Sequence, residues 1–118
     1  MISAFFTVLL VLLAGLVNSG GPKPYSGRPP AVFTTPSKPP AASTIKVLVA
    51  ALPKNATRVK IVTDEGTYPT RRSGVREVTA KAVPTPLVPG PWELDLRFTV
   101  RGTAYTTIGS VVMVTQAR

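Results

Sequence analysis

The chain has no cysteine and no histidine, and only five acidic residues among its 118. Without cysteine there is no disulfide framework, thiolate nucleophile, iron–sulfur site or cysteine-ligated zinc. Without histidine there is no imidazole base and no ordinary zinc or copper site. Ser–His–Asp and Cys–His catalysis are therefore excluded within this chain. The lack of cysteine does not fix the compartment, because an oxidising one permits disulfides without requiring them. Against the few acids stand fourteen Lys and Arg residues, for a net charge of +9. Thirteen prolines and nine glycines punctuate a length that suits one small domain.

Residues 1–19, MISAFFTVLLVLLAGLVNS, carry no charged side chain, and the first appears at Lys23. From Met1 to Val17 only Ser3 and Thr7 are polar. As a helix this run spans about 25 Å. That length is short for a membrane helix and long for a signal-peptide core, so both readings stand. A signal peptide would be cut after Ser19, but an n-region charge is missing. A retained anchor has Lys23, Arg28 and Lys38 downstream and no charged side chain upstream, which places the rest of the chain in the cytoplasm. A cleaved signal, or an anchor with its N-terminus inside, places it outside.

Residues 20–43, GGPKPYSGRPPAVFTTPSKPPAAS, hold seven of the thirteen prolines and no acid. Proline fixes φ and removes a donor, so the stretch favours polyproline II and builds no helix. It reads as a linker of up to roughly 70 Å. Pro36-Ser37-Lys38-Pro39 has the PxxP spacing of a docking peptide, a pattern that any proline-dense segment produces.

Residues 44–118 have the periodicity of strands. Trp92, Leu94, Leu96, Phe98 and Val100 alternate with Glu93, Asp95, Arg97 and Thr99, which puts every apolar side chain on one face. Val59 and Ile61 alternate with Arg58 and Lys60; Val78, Ala80 and Ala82 alternate with Glu77, Thr79 and Lys81. Tyr105 to Val114 is rich in β-branched residues. Gly102-Thr103 suits the centre of a type II′ turn. Such a turn pairs Val100 with Tyr105, Phe98 with Thr107, Leu94 with Val111 and Trp92 with Met113. Asp64-Glu65-Gly66 is a second turn.

The candidate chemistry is sparse. Glu93 and Asp95 share a strand face about 7 Å apart, a glycosidase-like spacing, yet beside Arg97 they fit a solvated charged face equally well. Ser43-Thr44-Ile45-Lys46 matches SxxK in form, but at a linker–strand junction its Ser and Lys point to opposite faces. Asp64 and Glu65 lack the further oxygen ligands of a calcium loop. Asn55-Ala56-Thr57 has the form of an N-glycosylation acceptor. The basic residues say more. Arg71, Arg72 and Arg76 form a positive loop that Lys54, Arg58 and Lys60 extend, a surface suited to phosphate in lipid headgroups or nucleic acid. No aromatic pair interleaves with that loop to stack bases.

The order of apolar segment, proline-rich spacer and a strand led by Pro91-Trp92 is distantly similar to the mycobacterial small membrane proteins that accompany large lipid exporters. Pro91-Trp92 and the alternation after it carry the similarity. The cysteines expected near the end of such domains are absent here, and no function or site is carried over.

The expectation is an all-β chain: a small immunoglobulin-like β-sandwich, or a small open barrel, after an N-terminal hydrophobic helix and a proline-rich linker. Residues 1–19 would be signal peptide or anchor, 20–43 linker and 44–118 the β-domain. A core of this size supplies only about 3–5 kcal/mol without staples, so a protein partner or self-association is expected. The function expected is non-enzymatic and cofactor-free: a membrane-anchored or secreted domain that binds or scaffolds a partner at a membrane or envelope surface. Its anionic partner would meet Arg71, Arg72, Arg76, Lys54, Arg58 and Lys60. The alternative is a cytosol-facing single-pass basic protein that binds nucleic acid or anionic lipid, such as a small viral membrane protein.

Overall fold

A computed structural model describes residues 21–117. The hydrophobic helix expected over 1–19 lies outside them. Among the described residues no helix is long and apolar enough to cross a membrane. These residues are all-β and form the strands β1 (Lys23–Pro24), β2 (Ala31–Thr35), β3 (Thr44–Ala50), β4 (Ala56–Thr63), β5 (Gly66–Pro69), β6 (Arg71–Gly74), β7 (Glu77–Pro84), β8 (Gly90–Val100) and β9 (Thr103–Val114). One sheet has the order β1-β9-β8-β4-β5 and the other β2-β3-β7-β6. The two are separate sheets and do not close into a barrel.

Alternation decides what each sheet buries. Trp92, Leu94, Leu96 and Phe98 of β8 join Val59 and Ile61 of β4 on the inner face of the five-stranded sheet. They share one core with Ile45, Val47 and Val49 of β3 and with Val78, Ala80 and Val83 of β7. Each fully buried Leu, Ile or Phe contributes about 1.5–3 kcal/mol of transfer free energy.

Three irregularities set which side chains face in. The β8–β9 hairpin expected at Gly102-Thr103 turns instead at Arg101-Gly102, with Val100 opposite Thr103 and Phe98 opposite Tyr105. Both turn residues have positive φ, 49° at Arg101 and 84° at Gly102, as a type I′ turn requires. Further along, Asp95 pairs with Ile108 but Leu94 pairs with Ser110, so Gly109 is an extra residue. This bulge reverses the inward phase of β9. Val112 and Val114 are buried, while Val111 and Met113, expected opposite Leu94 and Trp92, are exposed. Gly109 is required there: a Cβ would lie 2.9 Å from both Leu96 Cγ and Val32 Cγ2, and 3.0 Å from the Leu94 carbonyl oxygen. On β7 a register shift opposite Ile45 and Val47 brings Val83 inward and leaves Ala82 exposed, contrary to simple alternation.

The proline-rich stretch belongs to the sheets over its described part. β1 pairs in parallel with β9, Lys23 beside Tyr105, and β2 pairs antiparallel with β3. Pro30, Pro39 and Ala41 are buried. The Tyr25 ring packs edge-on to Phe98 and Tyr105 at centroid distances of 5.1 and 5.4 Å. Proline density argues for a spacer, but an edge strand tolerates proline because its outer donors have no ladder to join.

The registers also define two ends. Ala56 opposes Val100, Val100 opposes Thr103, Lys23 pairs beside Tyr105 and Ala31 opposes Ala50. The Leu52 N–H donates to the Arg76 carbonyl at 3.1 Å. The turns at 51–55, 75–76 and 101–102 and the chain entry at Gly21 therefore share one end. The Asp64-Glu65 turn and the Pro86–Pro89 loop mark the other.

Candidate anion-binding cleft

Strand β4 runs Thr57-Arg58-Val59-Lys60 past Thr99-Phe98-Arg97 of β8. Thr57 pairs with Thr99 and Lys60 with Arg97, so β4 carries one residue more than its partner. The extra residue is accommodated at Arg58, whose φ is 53°. A left-handed, non-glycine residue costs about 1 kcal/mol or more. The bulge allows Arg58 and Lys60 both to be exposed while Val59 and Ile61 stay buried.

Lys60 and Arg97 stand directly opposite on the outer face. Cβ atoms so placed lie about 4.5–5.5 Å apart, and like charges there destabilise a sheet by about 0.2–1 kcal/mol. None of the hydrogen bonds among the described side chains engages either cation. Lys23, Arg58, Lys60 and Arg97 together line an open cleft of about 760 Å³, along with the hydroxyl-bearing Thr67, Thr99 and Thr103. Gly21 and Pro22 form part of its rim. Arg58 and Lys60 also line a smaller hollow of about 390 Å³ with Arg72. Positive charge thus runs as a belt from Arg72 across Arg58, Lys60 and Arg97 to Lys23.

The six basic residues singled out in the sequence are not one patch. Arg58 and Lys60 lie in the cleft, and Arg72 at its flank. Arg71 lines a separate hollow with Thr70, Thr79 and Lys81. Arg71 and Arg72 sit on β6, the edge of the four-stranded sheet, where exposed cations discourage pairing with another chain. Lys54 is exposed in the β3–β4 turn. Arg76 has a local structural task, since its Nε donates to the Leu52 carbonyl at 2.6 Å and its φ is 59°. Lys23 and Arg97 are cleft residues that no local sequence pattern singles out. Arg97 was visible on the polar phase of β8, but nothing local connects it with Lys23 or Lys60.

The other motifs have structural surroundings. The Ser43 hydroxyl donates to the Pro40 carbonyl at 2.7 Å, and the Ser43 N–H donates to the buried Thr85 Oγ1 at 2.9 Å. Asp64-Glu65 closes the β4–β5 hairpin, with the Glu65 N–H donating to Thr63 Oγ1 at 3.1 Å. Asn55 is exposed in its turn with φ 66°. Among the described residues no cluster of His, Cys, Asp and Glu could hold a metal ion.

What the cleft can do is hold an oxyanion. Guanidinium and ammonium groups supply charge-assisted donors to phosphate or carboxylate, and threonine hydroxyls add neutral ones. Comparisons of the chain with protein-family models, with curated proteins and with solved structures found no match.

Proposed function

We propose that this chain is a non-catalytic binding module: a small immunoglobulin-like β-domain, held at a membrane or envelope surface by residues 1–19, that engages an anionic partner through the Lys23–Arg58–Lys60–Arg97 cleft. The immunoglobulin-like reading draws support from strand order. β2-β3-β7-β6 follows the A-B-E-D order of such domains, and β9-β8-β4 follows G-F-C. The chain departs from antibody domains in lacking the cysteine pair and in carrying its tryptophan on β8, the F position.

The observation that carries the binding reading is the Lys60–Arg97 pair. Two like charges placed opposite each other, with a third cation brought alongside by a strained bulge, lower the stability of the free domain. An anion seated between them relieves the repulsion. This is the pattern of a site whose local cost is recovered on binding.

The test is titration of the full chain in detergent with inorganic polyphosphate. Charge reversal at Lys60 and Arg97 should abolish binding that tightens as salt is lowered. Reversal at Lys38 and Lys46 changes the net charge equally and should leave most of it. Equal losses from both pairs would reduce the effect to net charge and refute the cleft. Recovery of the chain with residues 1–19 in the membrane fraction, measured by intact mass, tests the tether.

A further inference from the structure

Lys38 and Lys46 lie toward the opposite end, but basic residues are denser at the end of the domain where the chain enters. Lys23, Arg28, Lys54, Arg58, Arg76 and Arg101 belong to the entry segment, the strand starts and the turns of that end. Its one acid, Glu77, accepts a hydrogen bond from the Ser73 hydroxyl at 3.1 Å. Asp64 and Glu65 form the opposite turn, and Glu93 lies near that opposite end of β8.

The entry point lies on the cleft itself, because Gly21 and Pro22 line it. The apolar run ends at Val17, and an extended chain covers about 3.5 Å per residue, so Lys23 lies within roughly 20 Å of that run. This limit follows from chain length alone. Lys23 and Arg28, just downstream of the apolar run, also favour the side of the membrane where anionic headgroups are concentrated.

We infer that the ligand of the cleft is the phosphate of anionic lipid headgroups, and that the domain rests on its own membrane with the basic end down. The inference rests on the proposed anion-binding reading and adds the source of the anion and the orientation. Each Lys or Arg brought to such a surface strengthens binding by about fivefold. A group of this size holds the domain against the bilayer instead of leaving it to swing on the tether. It also turns the Pro86–Pro89 loop, with Leu87 and Val88 exposed, away from the membrane.

The absence of native cysteine makes the test direct. Val75→Cys places a fluorophore at the basic end, and Leu87→Cys places one at the far end; both positions are exposed. Each full-length variant is reconstituted in phosphatidylcholine vesicles, with and without phosphatidylglycerol, that carry a headgroup-bound quencher. The Val75 label should be quenched several-fold more in the anionic vesicles, and high salt should remove the difference. The Leu87 label should not respond. Reversal at Lys60 and Arg97 in the Val75→Cys background should diminish the response, with unchanged circular dichroism verifying the fold. Equal quenching at both ends, or greater quenching at Leu87, overturns the orientation. Polyphosphate binding through the cleft without any vesicle response would retain the anion site and refute the lipid source. Release of the Val75 label from anionic vesicles by an oligonucleotide, but not by polyphosphate at equal phosphate, would assign the cleft to nucleic acid and overturn the inference.

Discussion

Lys60 on β4 stands opposite Arg97 on β8, cation against cation, on the outer face of the five-stranded sheet. The pair couples stability and binding with opposite signs. Lys60→Glu converts a repulsive cross-strand pair into an attractive one, so it should stabilise the domain by about 0.5 kcal/mol while weakening polyphosphate binding. Urea unfolding and a binding titration on the same variant check both signs. Loss of stability together with loss of binding would mean that Lys60 supports the fold.

Gly109→Ala should destabilise the domain by about 1–3 kcal/mol. The added methyl meets a backbone oxygen as well as two side-chain carbons, so rotamer changes alone cannot relieve it. A fall in the urea midpoint at constant slope is the expected result.

The phase reversal at Gly109 separates two neighbouring valines. Val111→Lys places an exposed cation opposite Glu93 and should change stability by no more than about 0.5 kcal/mol. Val112→Lys buries the same group opposite Trp92 and should prevent folding. Near-ultraviolet circular dichroism of the lone tryptophan distinguishes the two outcomes. Reversed results would restore the unbulged register.

Arg101 holds a left-handed conformation at the first position of a type I′ turn, where asparagine is preferred. Arg101→Asn should raise stability by about 0.5 kcal/mol. Gly102→Ala should lower it by about 1 kcal/mol, because its φ is 84°. Thermal unfolding of the two variants checks the turn type.

A chain beginning at residue 44 should not unfold cooperatively. It lacks β1 and β2, the buried Pro30, Pro39 and Ala41, and the Tyr25 ring. Tyr25→Ala alone should cost about 2 kcal/mol, since it removes two edge-on aromatic contacts from a partly buried ring. Wild-type stability in either variant would return residues 21–43 to the role of a spacer.

The strands were legible in the sequence where side chains alternate. Trp92 to Phe98 declares its buried face because period two leaves no other arrangement, and Asp64-Glu65-Gly66 declares its hairpin. Register was not legible. It turns on a positive φ at Arg101, a residue with no special preference for it, and on one glycine whose neighbours include Val32 of the other sheet. The edge strands were hidden by proline, which signals a break to local reasoning yet is tolerated at an edge. Arg71, Arg72 and Arg76 stand out in the sequence because they are consecutive or nearly so. The Lys23–Arg58–Lys60–Arg97 cleft draws on three strands far apart in sequence, which the sheet order β1-β9-β8-β4 brings together.

Tension drawn through the tether at Gly21 would run along β1, which lies parallel to β9 and enters from the basic end. The short β1–β9 ladder, extended by the Tyr25 N–H bond to the Thr106 carbonyl at 2.9 Å, would then be loaded in shear, its bonds sharing the force instead of opening in turn. Behind them the Tyr25 ring is lodged against Phe98 and Tyr105 like a toggle through a buttonhole. If residues 1–19 tether the domain as proposed, mechanical resistance at the attachment would reside in an aromatic catch next to the cleft, and a pull from the membrane would be felt first by the strand that carries Lys23.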